Sequence, residues 1–372
     1  YISTNAPHGP YLVDEKYSAP YKEKGVGSPQ SEFYGMVENI DENMGRLMAK
    51  LDELNLVDNT ILIFTTDNGS AAGWRPTKTG TWKGFNAGMR AGKGSNFDGG
   101  HRVPMFIRWP NGKLTGGRDV NTLCAHIDIL PTLAEFCNLE DVCASERDGE
   151  SLKSILYGDQ EALRDRILTV HSQRVENVEK YRNYAVMTER WRLLNKNQLY
   201  DIKADPAQQN NIFDQHPDVA KKLSDAYESW WKSLSPSFDM TVRIGIGYKA
   251  QPESLLHSHD WHTNNTNTPW HQNHVRNGSV GNGYWALEVA EDGKYRVELR
   301  RWPRQEDKQM DAVKATIEIG GQQVSQQIPA GAKSVVFEVE LKAGANDLLT
   351  KMELENGKVR GSYFAYLKRI GK

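Results

Sequence analysis

Apolar residues recur at spacings of three and four from Phe33 through Val37, Ile40, Met44, Leu47 and Leu51 to Leu54. That period places them on one face of a helix, so the spacing predicts an amphipathic helix over 33–54. Ser28-Pro29-Gln30-Ser31-Glu32 supplies capping residues ahead of it. The period then changes. Ile61-Leu62-Ile63-Phe64-Thr65 is a continuous apolar run of strand length, and Met105-Phe106-Ile107-Arg108-Trp109 is a second. Runs of this kind belong to strands buried on both faces, and helix followed by strand predicts an α/β layer. Between them, residues 71–100 hold eight glycines and almost no periodicity. This predicts a long loop, and long loops inside compact domains often carry function. A further helix is predicted over 127–136, with Pro131 in its first turn.

From residue 165 the pattern is of short strands, at 167–170, 184–187 and 191–194, before a helix at about 217–233 that ends in Trp230-Trp231. From about 236 it changes again. Alternation over 284–290, 295–302, 315–319, 334–341 and 361–368 is separated by Asp-Gly, Gly-Gly, Pro-Ala-Gly and Asn-Gly turns. Strands at this spacing without helices predict an antiparallel β-sandwich.

Chemistry concentrates where the first strand ends. The run leads into Thr66-Asp67-Asn68-Gly69, which sets two oxygen ligands at the carboxyl end of a strand, where open α/β sheets place their sites. Asp67 and Asn68 are adjacent, so in extended chain their side chains diverge; Gly69 permits a turn that lets both reach one ion. An Asx turn closing the strand is the alternative. Carboxylate and amide oxygens suit a hard cation: calcium, with magnesium as the second choice. Gly92-Lys93-Gly94 puts a compact ammonium on a backbone that a ligand can approach closely. His8, held in Pro7-His8-Gly9-Pro10, can protonate a leaving alcohol.

These motifs, in this order, resemble the type I sulfatases of the alkaline phosphatase superfamily. The likeness extends to Trp109-Pro110, to His126-Ile127-Asp128 with Pro131-Thr132, to Asp148-Gly149-Glu150-Ser151-Leu152, and to Leu199-Tyr200-Asp201 with Asp205-Pro206. It covers about residues 1–235. The resemblance implies an α/β fold: a partial alkaline-phosphatase-like sandwich over 1–164, a small α+β C-terminal subdomain over 165–235, and an added antiparallel β-sandwich over 236–372. It implies hydrolysis of sulfate esters, on a sulfated carbohydrate. Asp67 and Asn68 become metal ligands, Lys93 the sulfate-binding and catalytic lysine, and His8 the acid on the substrate side. Trp74 and Arg75, in the variable loop, are candidates for touching the sugar. Arg102 reads as bracing its loop through Asp98. In the family a hydrated formylglycine attacks sulfur while calcium neutralises charge on the sulfate oxygens.

The early Asp-Asp pair and the Cys-x-Pro/Ala-x-Arg motif, whose cysteine becomes formylglycine, do not occur. The resemblance therefore implies that the chain begins in mid-domain, lacks the nucleophile, and has the missing N-terminal sulfatase segment as a partner. Cys143-Ala144-Ser145-Glu146-Arg147 has the right cysteine-to-arginine spacing but lies after the lysine motif, and reads as a loop. Localisation is not legible in these residues; the family points to a secreted or periplasmic setting.

Composition narrows the rest. The 372 residues are 25% charged with a formal net charge of −2, a balance that favours neither a nucleic acid nor an anionic membrane. No apolar run approaches the ~18 residues of a spanning helix. Cys124, Cys137 and Cys143 make no disulfide framework; free thiols are favoured over a Cys137–Cys143 pair. The segment His257-Ser258-His259-Asp260-Trp261-His262 matches no standard zinc spacing. It reads either as a polar loop or as a sugar-contacting loop in which Trp261 stacks while His259 and His262 make hydrogen bonds. Two other classes stay open: a phosphatase, phosphodiesterase or phosphonate hydrolase of the same superfamily, and a non-catalytic protein whose sandwich binds glycan.

Overall fold

The computed structural model describes the chain except for residues 77–81, 140–146, 160, 164, 174, 264–267 and 372. The Cys143 motif and the Cys137–Cys143 pairing lie outside the described residues. The chain divides into two compact units: Tyr1–Gln173 with Glu179–Ser235, and Arg174–Val178 with Pro236–Lys372.

The first unit opens with α1 (Glu15–Glu23), capped by the Asp14 side chain, which accepts from Lys16 N–H at 3.0 Å. It packs on α2 (Gln30–Glu53), the periodic segment read above. Gly35 lies where the two helices cross; a Cβ there would stand 3.0 Å from the Tyr17 backbone. β1 (Leu62–Thr65) follows, and beyond the glycine-rich loop come the single turn α3 (Asp98–His101) and β2 (Met105–Arg108). β1 and β2 pair antiparallel, Leu62 opposite Arg108 and Thr65 opposite Met105. The apolar run predicted a strand buried on both faces, whereas every residue of β1 is only half-buried.

α4 (Ile129–Phe136) and α5 (Lys153–Leu156) lead to a four-stranded antiparallel sheet of β3 (Leu168–His171), β4 (Tyr184–Met187), β5 (Trp191–Leu194) and β6 (Gln198–Asp201), in that spatial order. α6 (Pro217–Leu234) starts with proline in its first turn and buries Ala220, Leu223 and Tyr227 against Tyr184, Val186, Leu193 and Leu199. Each fully buried Leu of this layer is worth about 1.5–3 kcal/mol. This is the small α+β subdomain that the sequence predicted.

The second unit is a two-sheet assembly. β7 (Ile244–Ile246), β8 (Glu253–His257), the short α7 (Gln272–Arg276), β9 (Tyr284–Val289), β10 (Gly293–Arg300), β11 (Ala312–Ile319), β12 (Gln322–Gln327), β13 (Val335–Leu341), β14 (Gly344–Leu354), β15 (Val359–Arg360) and β16 (Phe364–Gly371) follow in order. One sheet runs β13-β10-β16-β8; the other runs β12-β11-β14-β9-β7, with β15 on β14. Alternate residues such as Tyr295, Val297 and Leu299 on one sheet, and Trp285, Leu287 and Ile317 on the other, fill a single core. All pairs are antiparallel except β7 on β9, which is parallel, so the sandwich is not purely antiparallel as expected.

Candidate functional site

Backbone-on-backbone contact assembles the site. Gly69 N–H donates to Gly100 O at 3.0 Å, and a Cβ on Gly69 would stand 1.9 Å from Gly99 O. Only glycine allows the turn after Asp67-Asn68 to lie this close to the turn after Lys93. Lys93 N–H donates to Ser70 O at 3.0 Å. Gly92 packs against the Trp74 indole, where a Cβ would be 2.1 Å from Nε1. Asp67, Asn68, Trp74 and Lys93 therefore sit on two loops sewn together by their main chains. Arg75 follows, its guanidinium 5.4 Å from the Trp74 ring.

The oxygen donors are available. Asp67 is exposed, and among the described residues no ion pair or hydrogen bond engages its carboxylate. Asn68 uses its amide N–H₂ on Gly69 O at 3.2 Å, which leaves Oδ1 as an acceptor. His126, quoted above only as part of a motif, approaches from the next helix: its Nε2 lies 2.8 Å from Thr66 O. A carbonyl only accepts, so Nε2 carries the proton, and the peptide before Asp67 is pinned. Two oxygens are part of the six to eight that calcium takes. Among the described residues, no group of three or more His, Cys, Asp or Glu side chains is placed to hold a metal. The fit is that of a partial oxygen site.

His8 is exposed. Its Nδ1–H donates to Gly9 O at 2.7 Å and its backbone N–H to Asn5 O at 2.9 Å. The same segment is anchored by Tyr11, edge-on to Phe33 at 6.0 Å, and Phe33 also supports Gly73 beside Trp74. α2 thus underlies both the His8 segment and the start of the variable loop.

The Sulfatase family profile matches residues 1–139, and the profile of the N-sulphoglucosamine sulphohydrolase C-terminal region matches residues 93–231. Residues 1–231 belong to the sulfatase family. The chain is 30% identical over 247 residues to an N-acetylgalactosamine-6-O-sulfatase of Bacteroides thetaiotaomicron, a match covering 62% of this chain and 46% of the relative. It is 27% identical over 194 residues to an N-acetylglucosamine-6-O-sulfatase of the same bacterium, covering 49% and 31%. The crystal structure of Ps i-CgsB superposes with a TM-score of 0.53 at 24% identity over 62% of this chain and 49% of that one. The chain spans less than half the length of these curated relatives.

In this chain the lysine loop is braced from afar. Asp98, 1% exposed at the side chain, receives Arg192 Nε at 2.9 Å from β5. Arg102, expected to brace the loop, is largely exposed and reaches Asp98 only at 3.8 Å. Arg192 lies 94 residues on in the sequence, and no local pattern announces it. Gln208 joins from the same subdomain: its Oε1 accepts Asp98 N–H at 2.8 Å, and its carbonyl accepts from Arg90 at 2.7 Å.

His101 closes α3 with Nε2 3.2 Å from Asn96 O. Burial holds its pKa below the usual histidine value of 6.5, against the opposing pull of Asp98. As pH falls through 6.5, the unfolded imidazole takes a proton that the folded one resists, so stability is lost on the acid side. Above that range both states are neutral and the group contributes nothing. Unfolding midpoints measured at pH 7.5 and 5.5 should therefore separate more in the wild type than in His101→Gln. An equal separation would contradict this.

The three sugar-contact candidates of the sandwich differ among themselves. Trp261 is 5% exposed and belongs to the core, edge-on to Trp285 at 5.7 Å. Gly283 and Gly361 make room for it; a Cβ on either would stand 2.7 or 2.5 Å from its side chain. It presents no ring face to a sugar, which corrects the stacking role expected of it. His262 is engaged within its own unit, its Nδ1 2.6 Å from Glu176 Oε1 and its ring stacked on Tyr284 at 5.1 Å. His259 is exposed.

Proposed function

We propose that this chain contributes to the hydrolysis of a sulfate ester on a carbohydrate. The observation that carries the reading is the main-chain seam joining the Asp67-Asn68 turn to the Lys93 loop. It sets the loop that carries an oxygen donor pair beside the loop that carries an ammonium, and a sulfate group with a hard cation on its oxygens would require both. The two Bacteroides relatives, named for 6-O-sulfated amino sugars, make such sugars the first substrates to test.

Lys93 binds sulfate oxygens and stabilises the charge that builds on them. His8 donates a proton to the departing alcohol, for which an exposed imidazole on an anchored segment is suited. Trp74 and Arg75 shape the sugar side. A calcium ion held by Asp67 and Asn68 would supply charge neutralisation at the sulfate oxygens, with magnesium as the alternative. The family's formylglycine finds no counterpart at Cys124 or Cys137, neither of which opens the required motif. The residues present account for binding and for the leaving group.

The site holds only oxygen donors, so elemental analysis of the protein as its natural host makes it should find calcium or magnesium, reduced in Asp67→Ala. Stoichiometric zinc or iron, lost with Asp67, would overturn the assignment and favour the two-metal phosphatase reading.

A further inference from the structure

The four-stranded subdomain carries a concavity to which the reading above gives no role. A pocket of about 210 Å³ is lined by Tyr181, Tyr184, Lys196, Ser224, Tyr227 and Glu228. Its floor is aromatic: the Tyr184 and Tyr227 rings lie 4.1 Å apart, and Tyr181 is 5.4 Å from Tyr227. The floor is also fixed, because the Tyr184 and Tyr227 hydroxyls accept from the backbone N–H groups of Lys196 and Tyr181, both at 2.9 Å.

The rim is charged. Glu228 is occupied by Lys180 and the Tyr181 hydroxyl. The Lys196 ammonium rests 3.6 Å from the Tyr181 ring centre, and among the described residues no carboxylate lies within ion-pair distance of it. Its turn is held at positive φ, 49° at Asn195 and 71° at Lys196. Both residues lie in the hairpin turn that joins β5 to β6, where positive φ is the conformation such turns use.

The rim is tied to the catalytic loop. Asn96 Nδ2 donates to Tyr184 O at 3.0 Å and to Asn195 Oδ1 at 2.9 Å, and Asn183 Nδ2 donates to Gly94 O at 3.4 Å. Pocket and Lys93 loop form one hydrogen-bonded body.

We propose that this pocket is a second glycan subsite, taking an anionic sugar unit whose carboxylate or sulfate meets Lys196. An ammonium at the rim of a rigid pocket, with no carboxylate partner among the described residues, suits an acidic substituent. The inference rests on the sulfated-carbohydrate reading for the origin of its ligand, but its test uses no sulfate hydrolysis.

The probes are an unsulfated oligosaccharide containing glucuronate, its neutral counterpart with glucose in place of glucuronate, and a sulfated neutral oligosaccharide, each titrated by calorimetry. The wild type should bind the glucuronate probe. Lys196→Ala should weaken it about tenfold, as expected for a lost charged hydrogen bond, and Lys196→Arg should restore most of it. Lys93→Ala should keep the binding, since the probe has no sulfate for that loop. Stronger binding of the sulfated probe than of the glucuronate one would identify sulfate as the preferred anion of the same subsite, provided that Lys196→Ala weakens it too. Equal binding by Lys196→Ala and wild type, equal binding of the neutral probe, or no binding at all would overturn the subsite. Those results would leave the Lys93 site to be judged by sulfate release alone.

Discussion

Replacing Lys93 with alanine in the protein as its natural host makes it is expected to lower kcat/KM for a sulfated sugar by about 10²–10³-fold, the cost of removing one preorganised charge from a site where charge develops. The loop is set before substrate arrives. Lys93 N–H is bonded to Ser70 O, and Gly92 is wedged against Trp74, so the backbone that carries the ammonium is held in place. In the proposed role the charge would meet sulfate oxygens in both ground and transition states, so KM should rise as kcat falls. Arginine should not substitute, since its planar fork is larger than the compact ammonium the glycine-flanked position accepts. His8→Ala should behave differently. It should slow esters of ordinary sugar alcohols far more than activated aryl sulfates, because only the former need a proton on the leaving oxygen. Equal losses on both substrate types would remove His8 from the acid role, and a Lys93→Ala enzyme of near-normal activity would remove the lysine.

The largest structural effect is expected at Asp98. Its carboxylate and the Arg192 guanidinium are buried, at 1% and 6% side-chain exposure, with Nε to Oδ1 at 2.9 Å. Truncating one partner strands the other charge out of water, which typically costs about 3–5 kcal/mol. For a unit of this size each kcal/mol moves Tm by about 2–4 °C. Arg192→Ala should therefore lower the melting temperature of the first unit by roughly 6–20 °C. Asp98→Leu combined with Arg192→Met removes both charges and should recover much of the loss. A single variant within about 1 kcal/mol of wild type would show that the pair is not what holds the lysine loop to the subdomain. The exposed Arg102→Ala should fall within that small range.

How much of this was legible in the sequence depended on whether the signal was local. The period of α2, the strand at Leu62–Thr65 and the turn chemistry of the sandwich are neighbour-to-neighbour patterns, and they located those elements to within a few residues. α1 escaped because Pro20 interrupts it and its residues are mostly polar. β12, Gln322-Gln323-Val324-Ser325-Gln326-Gln327, escaped because it is nearly all polar: an outer strand paired only to β11 has little apolar alternation to show. At the candidate site, Asp67-Asn68 and Lys93 stood out in the sequence because their motifs are contiguous. The contacts that bring them together were not, since Gly69 against Gly99 and Asp98 against Arg192 are long-range facts of packing. Trp261 shows the opposite error. Its polar neighbours suggested a surface loop, and the space that buries it is made by two distant glycines.

The central claim is that these loops serve a sulfate ester on a sugar. The most direct measurement compares, in one preparation from the natural host, release of sulfate from 6-O-sulfated N-acetylgalactosamine with release of phosphate from the matching 6-phosphate. Faster sulfate release, lost in Lys93→Ala, is the predicted result. Faster phosphate release, or sulfate release that survives Lys93→Ala and Asp67→Ala, would contradict it.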